Sequence, residues 1–359
     1  MNGPLVSVVI PTYNRASLVT NAAASALAQS YAPIEVVIVD DGSTDDTRGR
    51  LAHDFAGDAR VRCLHQPNGG PASARNTGFA EARGAYVALL DSDDSWHPWK
   101  LAAQVGCMER HPELGMTWTD MEMIDPSGRV ADPAHLRTMY SGYRLFSTEQ
   151  IFPRSVPLRD VIPEMAAVVG EARLRMGEIF SQMVLGSLVH TSTVLLRRER
   201  LARVGGFDES LRRTGEDYDF HLRTCREGPV GLLDVAAIRY QQGMPDRLTA
   251  DHLKVHMMEN ALRTVERAIA RDRSAIDLPE ETLRRRLARL HASIGLERLQ
   301  RGEPELARRH YFESLRQQPW QPGLAKPLLF ALLPGGTGVA LRRRLQALKH
   351  RAAQRPNAS

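Results

Sequence analysis

The sequence predicts an α/β fold: a mostly parallel sheet flanked by helices, followed by an all-helical C-terminal region. Three observations lead there. Short β-branched runs alternate with helix-period segments over the first 120 residues, polar and acidic residues follow those runs directly, and beyond residue 250 the pattern is helical almost throughout.

Residues 5–10 form a β-branched run, 17–29 an alanine-rich helix pattern, 34–39 a second buried strand and 44–55 a second helix; residues 61–65, 71–83, 86–90 and 98–111 repeat the scheme. From about residue 125 to 190 the periodicity weakens and methionines, prolines and arginines mix, as expected of an excursion with its own short helices. A strand over 193–197 and a helix over 216–227 follow, and the first domain is placed at 1–249. In the second, 250–359, residues 252–271 and 280–301 are helical, and 296–319 resembles a single tetratricopeptide-like helix pair turning at Gly302. One such copy cannot bury its apolar face alone and must pack on neighbours.

The composition fits a soluble globular chain. Of 359 residues, 43% are apolar and 25% charged, which excludes a disordered tail, and 27 Gly with 21 Pro are too few for a fibrous protein. The net charge of +5 hides a division, because residues 1–250 hold 26 Lys and Arg against 31 Asp and Glu, whereas 251–359 hold 21 against 11. Cys63, Cys107 and Cys225 lie far apart, the usage of a reduced cytoplasmic protein without a disulfide framework or zinc site. The start lacks the basic and long apolar segments of a signal peptide, and no stretch reaches the ~18 apolar residues that span a bilayer. The expectation is a cytoplasmic protein, at most peripheral at the inner face of a membrane.

Ligands of open α/β sheets bind at the carboxyl ends of the strands. Those ends read Pro11-Thr12-Tyr13-Asn14, Asp40-Asp41-Gly42-Ser43 and Asp91-Ser92-Asp93-Asp94. Alternate residues at a strand end point the same way, so Asp91 and Asp93 can face one ligand, and two hard carboxylates suit Mg²⁺ or Mn²⁺ beside a diphosphate. The same acids also suit a solvated turn. Ser43 to Asp46 read equally as a helix cap, and Thr214 with Asp217 three residues on reads as a capping box. Alternatively Glu216 or Asp217 is a general base, which must keep its charge near an acceptor hydroxyl. A dinucleotide-binding loop is a weak alternative, since PTYNRAS stands where G-x-G-x-x-G is needed.

Together, VSVVIPTYNRASLVTNAAASALAQS, IEVVIVDDGSTDDT, NGGPASARNTGFAEARGAYVALLDSDDSWHPWKL and STVLLRRERLARVGGFDESLRRTGEDYDFHLR, in that order, resemble glycosyltransferase family 2, inverting nucleotide-sugar transferases with the Rossmann-like GT-A fold. The resemblance implies that Pro11, Thr12, Tyr13 and Asp41 hold the nucleobase, commonly uracil, that Arg75 faces the donor diphosphate, that Asp91 meets the ribose and that Asp93 binds the metal, Mn²⁺ or Mg²⁺. It makes Asp217 the general base, with Glu216 the alternative, in a single inverting displacement. Two departures matter. Many members carry a histidine after the position of Tyr240, where this chain reads YQQGMPDR, and the QxxRW motif of processive synthases is absent. One sugar per acceptor is therefore expected, from a UDP-linked donor to a glycan, lipid-linked or small-molecule acceptor.

Trp96, Ser192 and Thr193 are candidate acceptor contacts, with His190 and Thr191 beside them before the last strand, set against plain packing for Trp96 and plain strand chemistry for the others. The basic tail has three readings: a solvated or partner-facing helical surface, an anionic membrane contact through residues 326–344, and nucleic acid, which lacks any aromatic platform or motif to support it. Outside the transferase class stand a binding or scaffolding subunit, and a sugar nucleotidyltransferase, which would need a glycine-rich phosphate loop after the first strand.

Overall fold

The computed structural model describes residues 3–241 and 253–333. Its contacts divide the chain into two compact units, Met1–Leu248 and Thr249–Ser359.

The first unit is built on one sheet. Its strands are β1 (Val6–Thr12), β2 (Ile34–Asp40), β3 (Val61–His65), β4 (Tyr86–Leu89), β5 (Ser95–Trp96), β6 (Met116–Ile124), β7 (Val130–Asp132), β8 (Arg154–Pro157), β9 (Arg173–Gly177), β10 (Leu195–Arg197) and β11 (Val230–Gln241). Their order is β3-β2-β1-β4-β10-β6-β11-β9-β8, with β5 paired to β11 and β7 to β6. The pairs β3–β2, β2–β1, β1–β4 and β6–β11 are parallel, and β10 runs antiparallel between β4 and β6. Every residue of β1 and β2 is buried, as continuous apolar strands covered on both faces must be. The winding reverses between β1 and β4, the switch point at which open α/β sheets bind ligands.

The helices Ala16–Leu27, Thr47–Asp54, Pro71–Glu81 and Lys100–Arg110 occupy the expected connections, their ends within about three residues of the expected ones. The excursion differs. Besides short helices such as Leu136–Met139 and Phe180–Leu185 it contributes β7, β8 and β9, which extend the same sheet. The expected strand at 193–197 begins two residues late, because Thr191–Thr193 is a 3₁₀ turn. The capping box read at Thr214 and Asp217 does not form: the helix Glu216–Arg226 starts from Gly215 at φ 90°, without a side-chain cap.

The second unit is helical over its described residues: Lys254–Asp272, Glu280–Gln300, Pro304–Gln317 and Ala325–Leu332, with short 3₁₀ turns between. The expected helix pair turns at Gly302, whose φ of 83° favours glycine, and Pro304 opens its second helix. Gly295 admits the Tyr311 ring so closely that a Cβ there would lie 2.6 Å from it. Leu299, Ala307, Tyr311, Leu324 and Ala331 form the buried cluster that one pair alone could not make. Arg284 and Arg285 pair with Glu280 and Glu281 one turn earlier, while Trp320 is 81% exposed and Leu329 59%. Arg342 to Arg344, and residues 334–344 of the membrane reading, lie outside the described residues.

Candidate active site

The carboxyl end of β1 is tied to that of β2. Asn14 sits at φ 52°, a left-handed conformation that asparagine tolerates better than most residues. Its N–H donates to Ser43 Oγ at 2.9 Å and its Oδ1 accepts the Thr44 N–H at 2.7 Å. Pro11 and Thr12 are buried in β1, and Thr12 Oγ1 is a buried hydroxyl with no partner. Tyr13 is 45% exposed.

Asp40 and Asp41 are both buried but face different partners. Asp40 accepts the Ser43 N–H and meets His65 Nδ1 at 3.0 Å. Asp41 Oδ1 accepts from Gln66 Nε2 at 2.7 Å and the Gly69 N–H at 2.9 Å, while Oδ2 accepts the Gly70 N–H at 2.8 Å. Three of about four acceptor positions on this carboxylate are filled, so it fixes the loop into the helix Pro71–Glu81 and keeps about one lone pair for a ligand.

Arg75 is carried inward by that helix. Its Nη1 donates to Glu216 Oε1 at 2.7 Å and its Nη2 to Asp91 Oδ1 at 2.8 Å, with the guanidinium 5.1 Å from the centre of the Phe207 ring. Both ends of the fork are occupied by carboxylates, so Arg75 orients these two acids in the free protein. Arg75 Nε and Glu216 Oε2 remain buried without partners. Burial works against ionisation of Asp91, but Arg75 outweighs it, with help from His190 and Ser192, and holds the carboxyl below its ordinary range. Glu216 is displaced the other way, pushed up by burial against the pull of Arg75 and further by Asp217. Asp217 is partly exposed beside it, and its Oδ1 accepts the Tyr218 N–H at 2.7 Å.

The acidic turn after β4 splits its carboxylates. Asp93 lies 4.0 Å from Arg15 Nη2, and its carboxyl is pushed up to about 7 by burial first and then by Asp94 and Asp91. Asp94 is buried, with Oδ2 3.3 Å from His190 Nε2 and Oδ1 unpartnered. Asp91, Asp94 and His190 bring three ligand atoms within 4.8 Å of one another, the one group of this kind among the described residues; Asp93 is not in it. Two carboxylates and an imidazole, one oxygen buried without a partner, fit a divalent cation such as Mn²⁺. His190 reaches the acids from the segment before β10, whereas β11, at Tyr240, carries no histidine. It packs edge-on against the Tyr240 ring at 5.3 Å, and Tyr140 from the excursion places its hydroxyl 3.1 Å from His190 Nδ1. Burial, with Asp217 next, pushes that hydroxyl well up.

The three acceptor candidates support the site from within. Trp96 is 5% exposed and donates Nε1–H to the Ser192 carbonyl at 2.9 Å. Ser192 Oγ accepts the Asp91 N–H at 3.0 Å, and Thr193 Oγ1 donates to the His190 carbonyl at 2.6 Å. Arg15, Tyr140 and the Asp94–His190 pair were not singled out by the sequence reading. Position next to the acidic turn pointed to Asp94, and position before the last strand pointed to His190, though toward the acceptor and not toward the acids; nothing local marked Tyr140.

Residues 7–167 match the family model described as Glycosyl transferase family 2. An uncharacterized glycosyltransferase of Rickettsia felis is 34% identical over 179 residues, covering 50% of this chain and 28% of that protein. One from Rickettsia prowazekii is 32% identical over 223 residues, covering 62% and 59%, and the chondroitin synthase of Escherichia coli is 37% identical over 144 residues, covering 40% and 21%. The chain thus spans less than two thirds of the length of each of these relatives. Among solved structures, S. aureus TarS 1–349 in complex with UDP-GlcNAc aligns at TM-score 0.52 and 17% identity over 87% of this chain and 89% of that one. The mannosyltransferase PcManGT from Pyrobaculum calidifontis, in complex with GDP-Man and Mn²⁺, aligns at 0.52 and 18% over 94% and 86%. At these identities the two structures speak for the fold, a GT-A sheet with flanking helices and a helical C-terminal region. The strand ends that carry Asp41 and Asp91 lie on that fold, and residues 7–167 of the chain match glycosyltransferase family 2.

Proposed function

We propose that the chain is a metal-dependent, inverting, non-processive glycosyltransferase that moves one sugar from a nucleoside-diphosphate sugar, UDP-linked, to an acceptor hydroxyl of a glycan, lipid-linked or small-molecule acceptor. The observation that carries this reading is the division of labour at Arg75. Glu216 and one oxygen of Asp91 pair with the guanidinium, while Asp217, next in the chain, is partly exposed and outside that ion pair. A base has to be reachable and charged, which favours Asp217 over Glu216. Asp217 takes the acceptor proton as the oxygen attacks the anomeric carbon opposite the leaving diphosphate. One carboxylate suffices for this, unlike the acid–base pair of glycoside hydrolysis.

On the donor side, Thr12 Oγ1 and the remaining lone pair of Asp41 are the polar atoms left for a nucleobase, with the exposed Tyr13 ring beside them in sequence. Asp91, oriented by Arg75 and Ser192, is left to meet the ribose. The cation would be held by Asp91, Asp94 and His190, with Asp93 the second carboxylate candidate on the same turn. When bound, a divalent cation there supplies neutralisation of charge on the departing diphosphate. The enzyme acts at the cytoplasmic side in glycoconjugate synthesis, and the exposed Lys326 and Leu329 offer a peripheral contact to an anionic membrane, beside the reading of a solvated or partner-facing helical surface. Among the described residues no helix is long and apolar enough to cross one.

A panel of nucleotide sugars, read by nucleoside-diphosphate release with and without Mn²⁺, tests the reading. Release from one donor that requires both acceptor and metal supports it. Absence of UDP binding by calorimetry in the presence of Mn²⁺ would favour the scaffolding alternative.

A further inference from the structure

Lys100 is a charged-type side chain that the proposed chemistry does not use, and it is completely buried. Its Nζ lies 2.7 Å from Gln104 Oε1, one helical turn on, and 4.1 Å from the centre of the Trp96 ring. Burying an amine so fully is unfavourable unless its contacts serve the surrounding structure, and here both contacts lead to the same place. Gln104 Nε2 donates to the Thr193 carbonyl at 3.0 Å and the Thr117 carbonyl at 3.2 Å. Those two acceptors demand the NH₂ end of the amide, which leaves Oε1 for Lys100 and makes the amine the group that locks the amide in this orientation. Trp96, under the amine, donates to the neighbouring Ser192 carbonyl.

The Thr193 and Ser192 carbonyls belong to the Thr191–Thr193 turn, which is tied both to Asp91 and to His190. Ser192 Oγ accepts the Asp91 N–H, and Thr193 Oγ1 holds the carbonyl of His190, the partner of Asp94. Thr191 Oγ1 meets the buried His221 Nε2 at 3.2 Å. The turn thus holds Asp91 directly and Asp94 through His190.

We propose that Lys100 is a positioning residue: through Gln104 and Trp96 it holds the Thr191–Thr193 turn, and thereby Asp91 and His190, in the arrangement the donor site requires. The consequence for the donor rests on the transferase reading, but the positioning itself does not.

The test is hydrogen–deuterium exchange on the full chain, comparing wild type with Lys100→Met and Gln104→Glu. The second variant keeps an acceptor facing Lys100 but removes the amide donor to Thr193, and the pairing of its charge with the amine favours folding should Lys100→Met fail to fold. Both variants are expected to exchange about tenfold faster or more over residues 90–96 and 188–194 while β1 and β2 are unchanged. The dissociation constant for UDP with Mn²⁺ rises about tenfold in step. Wild-type exchange in those two segments overturns the proposal, as does a uniform increase across the first unit, which is what a purely structural role gives. A local increase in a protein whose wild type does not bind UDP with Mn²⁺ upholds the positioning and overturns the donor reading.

Discussion

Arg75 and Glu216 are 141 residues apart in sequence and meet at 2.7 Å, with Asp91 on the other end of the same guanidinium at 2.8 Å. This buried ladder joins the helix after β3, the end of β4 and the start of the helix Glu216–Arg226, which carries Asp217. Removing one partner of a buried ion pair leaves the other charge uncompensated, a loss of about 3–5 kcal/mol. Arg75→Met should therefore lose about that much stability in urea unfolding. Glu216→Gln, which retains an acceptor for Nη1, should lose about 1 kcal/mol. Equal small losses in both variants would show that the ladder does not hold the site together.

Asp41 accepts hydrogen bonds from two backbone N–H groups and from Gln66. Asparagine in its place must turn an NH₂ toward one of those donors, leaving about 1–3 kcal/mol of hydrogen bonding unmade. Asp41→Asn is expected to lower stability by that amount and to weaken uridine nucleotide binding about tenfold or more, as calorimetry would show. Unchanged affinity would remove Asp41 from the nucleobase site.

The raised Asp93 carboxyl has a consequence for stability. In the folded chain it titrates near 7, against about 3.9 when unfolded. Between those values the folded state holds a proton that the unfolded state has released, so this group's contribution is full below about pH 4 and is lost as pH rises through about 7. Without divalent metal, the melting temperature of wild type relative to Asp93→Asn should fall as pH is raised from about 5 to 8. Parallel profiles for the two proteins would contradict this.

Two ligand sets share the acidic turn, and Mn²⁺ binding to the nucleotide-free chain separates them. Asp94→Asn and His190→Ala are expected to weaken Mn²⁺ about 10–100-fold, the usual loss when a ligand or its support is removed. Asp93→Ala should do so less in the free chain. The reverse order would assign the cation to Asp93.

The residues that were legible in the sequence lie on strands that the sequence also announces. β1, β2 and β4 are continuous apolar runs, so Thr12, Asp41 and Asp91 could be placed at their carboxyl ends, and Arg75 and Asp217 followed from the motifs around them. His190 and Tyr140 could not be placed this way. They come from the excursion and its exit, where strands are three to five residues long and their side chains gain meaning only when β10 is inserted between β4 and β6. β6, reading MTWTDMEMI, alternates polar and large residues without a run of apolar β-branched side chains, and β11 is broken by register shifts at Leu233, Ala236 and Ile238, so neither stood out. At Thr214 and Asp217 the local capping signal competed with tertiary structure and lost. Gly215 at positive φ starts the helix, and the carboxylate that would have capped it turns to the N–H of Tyr218 instead.

The central claim, that Asp217 takes the acceptor proton, is tested most directly by replacing it with asparagine and measuring transfer and donor binding on the same preparation. The Asp217→Asn protein should bind the nucleoside-diphosphate sugar as wild type does, while nucleoside-diphosphate release in the presence of acceptor falls by about 10²–10⁴-fold. Release at the wild-type rate with undiminished donor binding would contradict it.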